Sequence, residues 1–289
     1  MAPMPAKPPP DEPTALAIPI PGGRIEALLL PGGPGRTLLV LGGVEIGLRP
    51  LAGSEQAHVR RWKRRTPGRP VVIMGRPLPD HQADAPRMMH PRAMADAVAR
   101  GLRALRDVTP PLAVEAESGG GRISLWLTLD YPELVARLVL SSVASETPAE
   151  SAMTGRMAQW LDLAERGMWA EFFAHLALQL KPSGSVHAEA FPVTSGFQPH
   201  PSTPERFIGE LRATLDPTSF VTDRLAEIGV PTLVLAGGQD QVVPVASTQL
   251  VAERIPGADF AVDPASGHTV RSSFRGYDET VEAFLAEGD

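Results

Sequence analysis

Residues 114–127 read VEAESGGGRISLWL, a single serine between a short apolar run and three consecutive glycines. A small residue, a serine and a glycine at this spacing also arise by chance, so the pattern alone decides nothing. The flanks carry the argument. PLAVEA (111–116) has the composition of a strand, and RISLWLTLDYPELV (122–135) that of an apolar helix, so Ser118 stands where a buried strand turns abruptly into a helix. Such a turn strains the serine backbone, and side chains two positions before and after it would collide with strand and helix. Ala116 and Gly120 are small where the turn demands it. The same geometry aims the first amides of the helix, Gly119 N–H foremost, at whatever Ser118 attacks, and the helix dipole favours negative charge there.

Working outward, RTLLVLGG (36–43), RPVVIMG (69–75), RLVLSSVA (137–144), PTLVLAGG (231–238) and DFAVD (259–263) are short apolar runs, several closed by glycine, the form of strands buried on both faces. ALAIPI (15–20) and RIEALLL (24–30) flank PGG and read as two edge strands joined by a turn. Helical spacing separates the runs. SEQAHVRRWKRR (54–65) has Ser54 as an N-cap candidate, PRAMADAVARGLRAL (91–105) opens on a proline at its first turn, and VASTQLVAERI (245–255) follows the same rule of period. Strands alternating with helices imply crossovers, hence a single, mostly parallel, doubly wound α/β domain spanning 14–145 and 221–289.

One segment interrupts the alternation. Residues 146–220 carry helical periodicity, with Met157, Trp160, Leu161, Leu163, Ala164, Met168, Phe172 and Phe173 as a broad apolar stripe, followed by a Pro/Ser/Gly/His-rich loop and PERFIGELRATL (204–215). This predicts a helical cap inserted after a strand. Its aromatics Trp160, Trp169, Phe172 and Phe173 belong either to the cap's own core or to an apolar pocket roof. The first 13 residues, MAPMPAKPPPDEP, read as a disordered proline-rich leader.

Composition narrows the chemistry. With 289 residues, 43% hydrophobic and 21% charged, the chain affords a sizeable core, and its net charge of −6 argues against coating nucleic acid or an anionic membrane. The basic run RRWKRR (60–65) spreads around a solvated helix face and does not overturn that reading. No stretch approaches the ~20 apolar residues that cross a bilayer. The expectation is a soluble, cytoplasmic protein whose partner is a small molecule, with homodimerisation left open. The absence of cysteine removes thiolate metal sites and a cysteine nucleophile. No His/Asp/Glu group has ligand spacing and no glycine-rich loop has a phosphate-binding lysine or dinucleotide fingerprint, so neither metal nor other cofactor is expected.

A serine hydroxyl needs a base, and of seven histidines His268 is the one placed for it. It follows the last core strand in DPASGHTV (263–270), on the sheet edge that receives Ser118, because loops after parallel strands share one edge. His58 falls on an outer helix, His81 and His90 after the fourth strand, and His175, His187 and His200 in the cap. Asp240 in LAGGQDQVVP (235–244) emerges at the same edge and can hold the imidazole; its bland reading is a turn aspartate. Glu117, beside the serine, reads as partly solvated and structural.

These stretches together resemble the α/β-hydrolase superfamily: RTLLVLGG its oxyanion-loop strand, AESGGG its nucleophile elbow, RLVLSSVA the next strand, RLAEIGVPTLVLAGGQDQVVP its acid strand and loop, and DPASGH its histidine loop. The resemblance runs from about Ala15 to Leu285, in the chain order serine, acid, histidine. It implies a serine hydrolase with Ser118 as nucleophile, His268 as base, Asp240 as orienting acid, Glu146 after the sixth strand as the reserve acid, and the amides of Gly119 and of Gly43 or Val44 as oxyanion donors. The implied substrate is a small to medium carboxylic ester or thioester, while carbon–carbon bond hydrolysis, lyase or acyltransferase chemistry, or a catalytically silent ligand-binding relative stay open. A serine at the elbow disfavours the branches that use an aspartate nucleophile. Two departures stand out. LGGVEIG (41–47) lacks the family's frequent His-Gly and carries Glu45, expected to face away toward Arg49, and GRPLPDHQAD (75–84) lacks the frequent Asp-x-x-Gly-x-Gly pattern.

Overall fold

The computed structural model describes residues 12–43, 62, 68–180 and 204–287. The calls on the leader through residue 11, on Val44, Glu45, Arg49, Ser54, His58, His187 and His200 fall outside them. Within the described residues a nine-stranded sheet is built from β1 (Thr14–Ile20), β2 (Gly23–Leu30), β3 (Leu38–Leu41), β4 (Val71–Met74), β5 (Leu78–Pro79), β6 (Leu112–Glu117), β7 (Val135–Ser141), β8 (Thr232–Gly237) and β9 (Asp259–Asp263). Its order is β1-β2-β4-β3-β6-β7-β8-β9, with β5 paired to β2. From β4 to β9 every neighbouring pair is parallel, and the β1–β2 hairpin adds antiparallel on β4. One expectation needs correcting: β1 is an edge, but β2 lies between β1 and β4.

The reason is visible strand by strand. LLVL of β3 and VVIM of β4 are buried at all four positions, so both faces of these strands must be covered, and only a parallel sheet clothed by crossover helices does that. On one face lie α2 (Pro91–Ala104) and α3 (Gly119–Asp130), preceded by the single turn α1 (Ala85–Met88). Met94, Val98, Leu102, Ile123 and Leu127 pack there against Ile25, Leu39, Val72, Val114 and Leu138. The opposite face is closed by Trp62 and, farther along, by Val270, Tyr277, Val281, Phe284 and Leu285.

Between β7 and β8 the chain leaves the sheet and forms α4 (Ala152–Glu165), α5 (Trp169–Leu180) and α6 (Pro204–Leu215). Ser151 caps α4 by accepting from Thr154 N–H at 3.1 Å. The excursion ends where it began: Val221 N–H donates to the Ser145 carbonyl at 3.0 Å, and the Ser145 and Thr222 hydroxyls lie 2.8 Å apart. Beyond β8 come α7 (Val245–Arg254), the short α8 (Val270–Ser273) and α9 (Tyr277–Ala286). Among the described residues no helix is long and apolar enough to cross a membrane.

Candidate active site

At the end of β6, Ser118 adopts φ 53° and ψ −123°, left-handed backbone that a serine accepts only when its surroundings impose it. Two backbone bonds hold it: Ser118 N–H donates to the Ser141 carbonyl at 3.0 Å, and the Ser118 carbonyl accepts from Gly121 N–H at 2.9 Å. The glycines allow the approach. A Cβ on Gly120 would stand 2.1 Å from the Leu41 carbonyl oxygen and 2.4 Å from that of Gly42, so α3 can begin only if this position has no side chain. The same crowding brings the end of β3 beside the elbow.

His268 reaches the elbow from the loop after β9. Its Nε2 lies 2.9 Å from Ser118 Oγ, and its Nδ1 lies 2.8 and 3.1 Å from the two oxygens of Asp240. A carboxylate on Nδ1 fixes the proton there, so Nε2 is the acceptor and the serine hydroxyl the donor. Asp240 is itself held, because its Oδ1 accepts the amides of Val242 and Val243 at 2.8 and 2.9 Å. The acid and histidine loops are sewn together by Gly238 N–H on the Asp263 carbonyl and Gln239 N–H on the Ser266 carbonyl, both 2.8 Å. The side chains of His268 and Asp240 are only 6% and 2% exposed, which strengthens their electrostatic coupling. The structure therefore brings together the three side chains singled out in the sequence. Glu146, the reserve acid, instead acts on Arg122.

Gly119 opens α3 directly after Ser118, and Gly43 is buried two residues past β3, whose end lies against Gly120 of the elbow; Val44 lies outside the described residues. The carbonyls of Gly42 and Gly43 accept from Arg76 Nη2 at 3.2 and 3.4 Å. Arg76, two residues past β4, also grips Glu210 of α6 with Nε and Nη2, at 3.1 and 2.8 Å.

Behind the elbow, Glu117 departs from expectation. It is buried, and its carboxylate faces Arg271 of α8 at 3.6 Å. Arg271 Nε donates to Glu115 at 2.9 Å, and Glu115 also accepts from the Tyr277 hydroxyl at 3.0 Å, which in turn lies 2.8 Å from Ser141 Oγ. Burial alone would lower the Arg271 guanidinium; Glu115 and Glu117 more than offset it and hold it above its usual value.

Trp160, Trp169, Phe172 and Phe173 form one cluster. Phe172 stacks edge-on against Trp160, Trp169, Phe173 and Phe207, with ring centroids 5.0 to 5.9 Å apart, and Trp160, Phe172 and Phe173 are buried. Val242 and Val243, two and three residues after Asp240, belong to the same cluster.

Sequence reasoning passed over Arg76, Glu115, Arg122 and Arg271. Arg122, on α3, donates to the carbonyls of Ala144 and Thr214 and to the hydroxyls of Ser219 and Thr147, at 3.1 to 3.3 Å, joining both stems of the excursion to the elbow helix. Burial lowers its guanidinium to about 10, with Glu146 opposing. Signals existed: Glu115 sits inside an apolar strand, Arg122 is the one basic residue of an apolar helix, and Arg76 occupies the stretch that departs from the Asp-x-x-Gly-x-Gly pattern.

Comparison with known proteins places this geometry in context. The model of the family described as Serine aminopeptidase, S33 (Hydrolase_4) matches residues 92–270, a span holding Ser118, Asp240 and His268. Over 178 residues the chain is 26% identical to 2-hydroxymuconate semialdehyde hydrolase of Pseudomonas putida, a match covering 61% of this chain and 63% of that relative's length. Among solved structures it is similar to an esterase (EaEST) from Exiguobacterium antarcticum, at 17% identity and a TM-score of 0.74, covering 94% of this chain and all of that one. It is also similar to a bromoperoxidase from Bacillus anthracis, at 14% identity and a TM-score of 0.73, with 94% and 100% covered. At these identities the solved structures speak for the fold alone.

Proposed function

Because the chain belongs to the serine aminopeptidase S33 family and has the α/β-hydrolase fold, we propose that it hydrolyses a small to medium carboxylic ester or thioester through an acyl-enzyme intermediate. The observation that carries this reading is the unbroken relay Ser118 Oγ–His268 Nε2 and His268 Nδ1–Asp240, at 2.9 and 2.8 Å, on a strained elbow.

In the proposed cycle, Ser118 Oγ bonds to the acyl carbon as its proton passes to His268 Nε2. The carbonyl electron pair moves onto oxygen, where the amides of Gly119 and of Gly43 or Val44 receive it. Collapse restores the carbonyl and expels the alcohol or thiol, which takes the proton from His268. Water then attacks the acyl carbon, giving its proton to His268, and the second collapse returns that proton to Ser118 and releases the acid. Asp240 stabilises the imidazolium in each half without taking its proton. Residues 146–220 serve as a cap whose aromatic cluster, with Trp160, Trp169, Phe172 and Phe173, supplies an apolar roof.

A second reading has one specific support, the similarity to a hydrolase named for 2-hydroxymuconate semialdehyde. In it the same relay cleaves a carbon–carbon bond beside a carbonyl group.

The test is intact-mass analysis after a fluorophosphonate probe, with turnover of p-nitrophenyl esters of graded acyl length. Single labelling of the wild type, none of Ser118→Ala, and ester turnover that disappears with it are expected. Equal labelling of both proteins, or of neither, would overturn the nucleophile. Labelling without ester turnover, but with cleavage of a diketone, would favour the second reading, and retention of a ligand without turnover would make the chain a binding protein.

A further inference from the structure

Arg76 and Glu210 form an ion pair with side chains 2% and 8% exposed, joining the core to α6 across 134 residues of sequence. A pair this deeply buried is a poor source of stability, since desolvation consumes most of the attraction. Its geometry suggests another use. One arm of the guanidinium, Nη2, is shared between Glu210 Oε1 and the carbonyls of Gly42 and Gly43, the two residues that follow β3. In a trans peptide the carbonyl of one residue and the amide of the next point in opposite directions within one plane. A donor that fixes the Gly42 carbonyl therefore fixes the Gly43 N–H. Two glycines in succession have the loosest backbone available and need such an external hold. A second tie binds the same elements, because Arg206 of α6 donates to the Pro77 carbonyl at 3.4 Å, one residue beyond Arg76.

We propose that Arg76 is a positioning residue for the oxyanion-binding amide of Gly43, and that Glu210 transmits the seating of α6 to that amide. The inference rests on the serine hydrolase reading above. In it, the cap does more than cover the site: with α6 in place, Glu210 orients the guanidinium, which holds the Gly42–Gly43 backbone for the developing oxyanion. The charge of Arg76 is matched by Glu210, so the pair acts through geometry and leaves the negative charge of the transition state to the amides.

The test compares wild type, Glu210→Gln, Arg76→Lys and the double variant Arg76→Met with Glu210→Leu, which removes both charges together and leaves neither orphaned. Lysine keeps the charge but lacks the planar fork that reaches carboxylate and carbonyls at once. On p-nitrophenyl butyrate, kcat should fall about tenfold or more in Arg76→Lys and in the double variant, with KM within about twofold, since the lost interaction belongs to the transition state. Inhibition by phenylboronic acid, whose tetrahedral adduct uses the same amides, should weaken in parallel. A kcat and boronate affinity within twofold of wild type, or a rise in KM alone, would overturn the proposal even if thermal stability dropped. Should the double variant fail to fold, Arg76→Lys and Glu210→Gln decide by the same criterion. Ser118→Ala in the same assay separates the levels: turnover surviving there sinks the hydrolase reading itself, whereas its loss alongside unchanged Arg76 variants sinks only the coupling.

Discussion

Arg271 Nε donates to Glu115 Oε1 at 2.9 Å, tying the helical turn just after His268 to the strand that leads into Ser118. Ser118 and His268 stand 150 residues apart in the chain. Their shared anchor is a buried guanidinium that also faces Glu117. Replacing Arg271 by methionine removes the cation facing two buried carboxylates and should destabilise the fold by about 3–5 kcal/mol. Urea denaturation measures this; a loss below about 1 kcal/mol would mean that the carboxylates have found other partners or protons.

The glycines after Ser118 differ in what they touch. On Gly120 a new Cβ meets backbone, the Leu41 and Gly42 carbonyls, whereas on Gly121 it meets the Val143 side chain at 2.0 Å. Both alanine variants should be destabilised, and Val143→Ala, which removes the two nearer atoms but leaves the Val143 Cβ at 2.9 Å, should restore part of the loss for Gly121→Ala and none for Gly120→Ala. Thermal melts of the two double variants check this, and equal rescue would show that the two contacts are not separate.

Asp240→Asn keeps the shape and one acceptor for the Val242 and Val243 amides but presents an N–H to His268, favouring the wrong tautomer. A fall in kcat of roughly a thousandfold or more is expected, with little change in stability. Single-turnover acylation of a p-nitrophenyl ester is the measurement, and a loss under tenfold would return Glu146 to consideration.

His90 caps α2 by accepting the Arg92 amide on Nδ1 at 3.2 Å, while Nε2 lies 3.3 Å from Thr218 Oγ1. Burial holds its pKa below the ordinary 6.5, against the opposing pull of Asp216. A histidine lowered in the native state contributes stability that is present above its unfolded value and lost as the pH falls through the folded one. As the pH falls below about 6.5, where the unfolded histidine takes up its proton first, the stability contributed by this cap should decline, and His90→Asn, which caps without titrating, should flatten that part of the profile. Urea midpoints across the range test it.

Much of this was legible in the sequence because it depends on short-range order. The strand before Ser118, the glycines after it and the apolar helix beyond all follow from local period and residue size, and they set the elbow without reference to distant parts of the chain. Asp240 and His268 could be placed because loops after parallel strands share an edge. The ion pairs were not legible: Arg76–Glu210 and Arg271–Glu115 join residues 134 and 156 positions apart, and no local rule selects which of 27 basic residues will meet a given carboxylate. Glu117 was read as partly solvated for that reason, its cation being supplied from the far side of the histidine loop. The β1–β2 hairpin was read correctly as strands, but the position of β2 beside β4 depends on sheet order, which composition does not encode.

The touching stems at Ser145, Val221 and Thr222 make the intervening helices a replaceable module. Whatever starts and ends at those neighbouring points can be exchanged without altering the spacing of the strands beneath, as with any insertion whose ends nearly meet. A transplanted segment would nevertheless have to satisfy two fixed sockets in its host: acceptors for the guanidinium of Arg122 at the stems, and an acid opposite Arg76. On the proposed reading of residues 146–220 as a cap, its exchange is thus filtered by two buried arginines, Arg76 and Arg122.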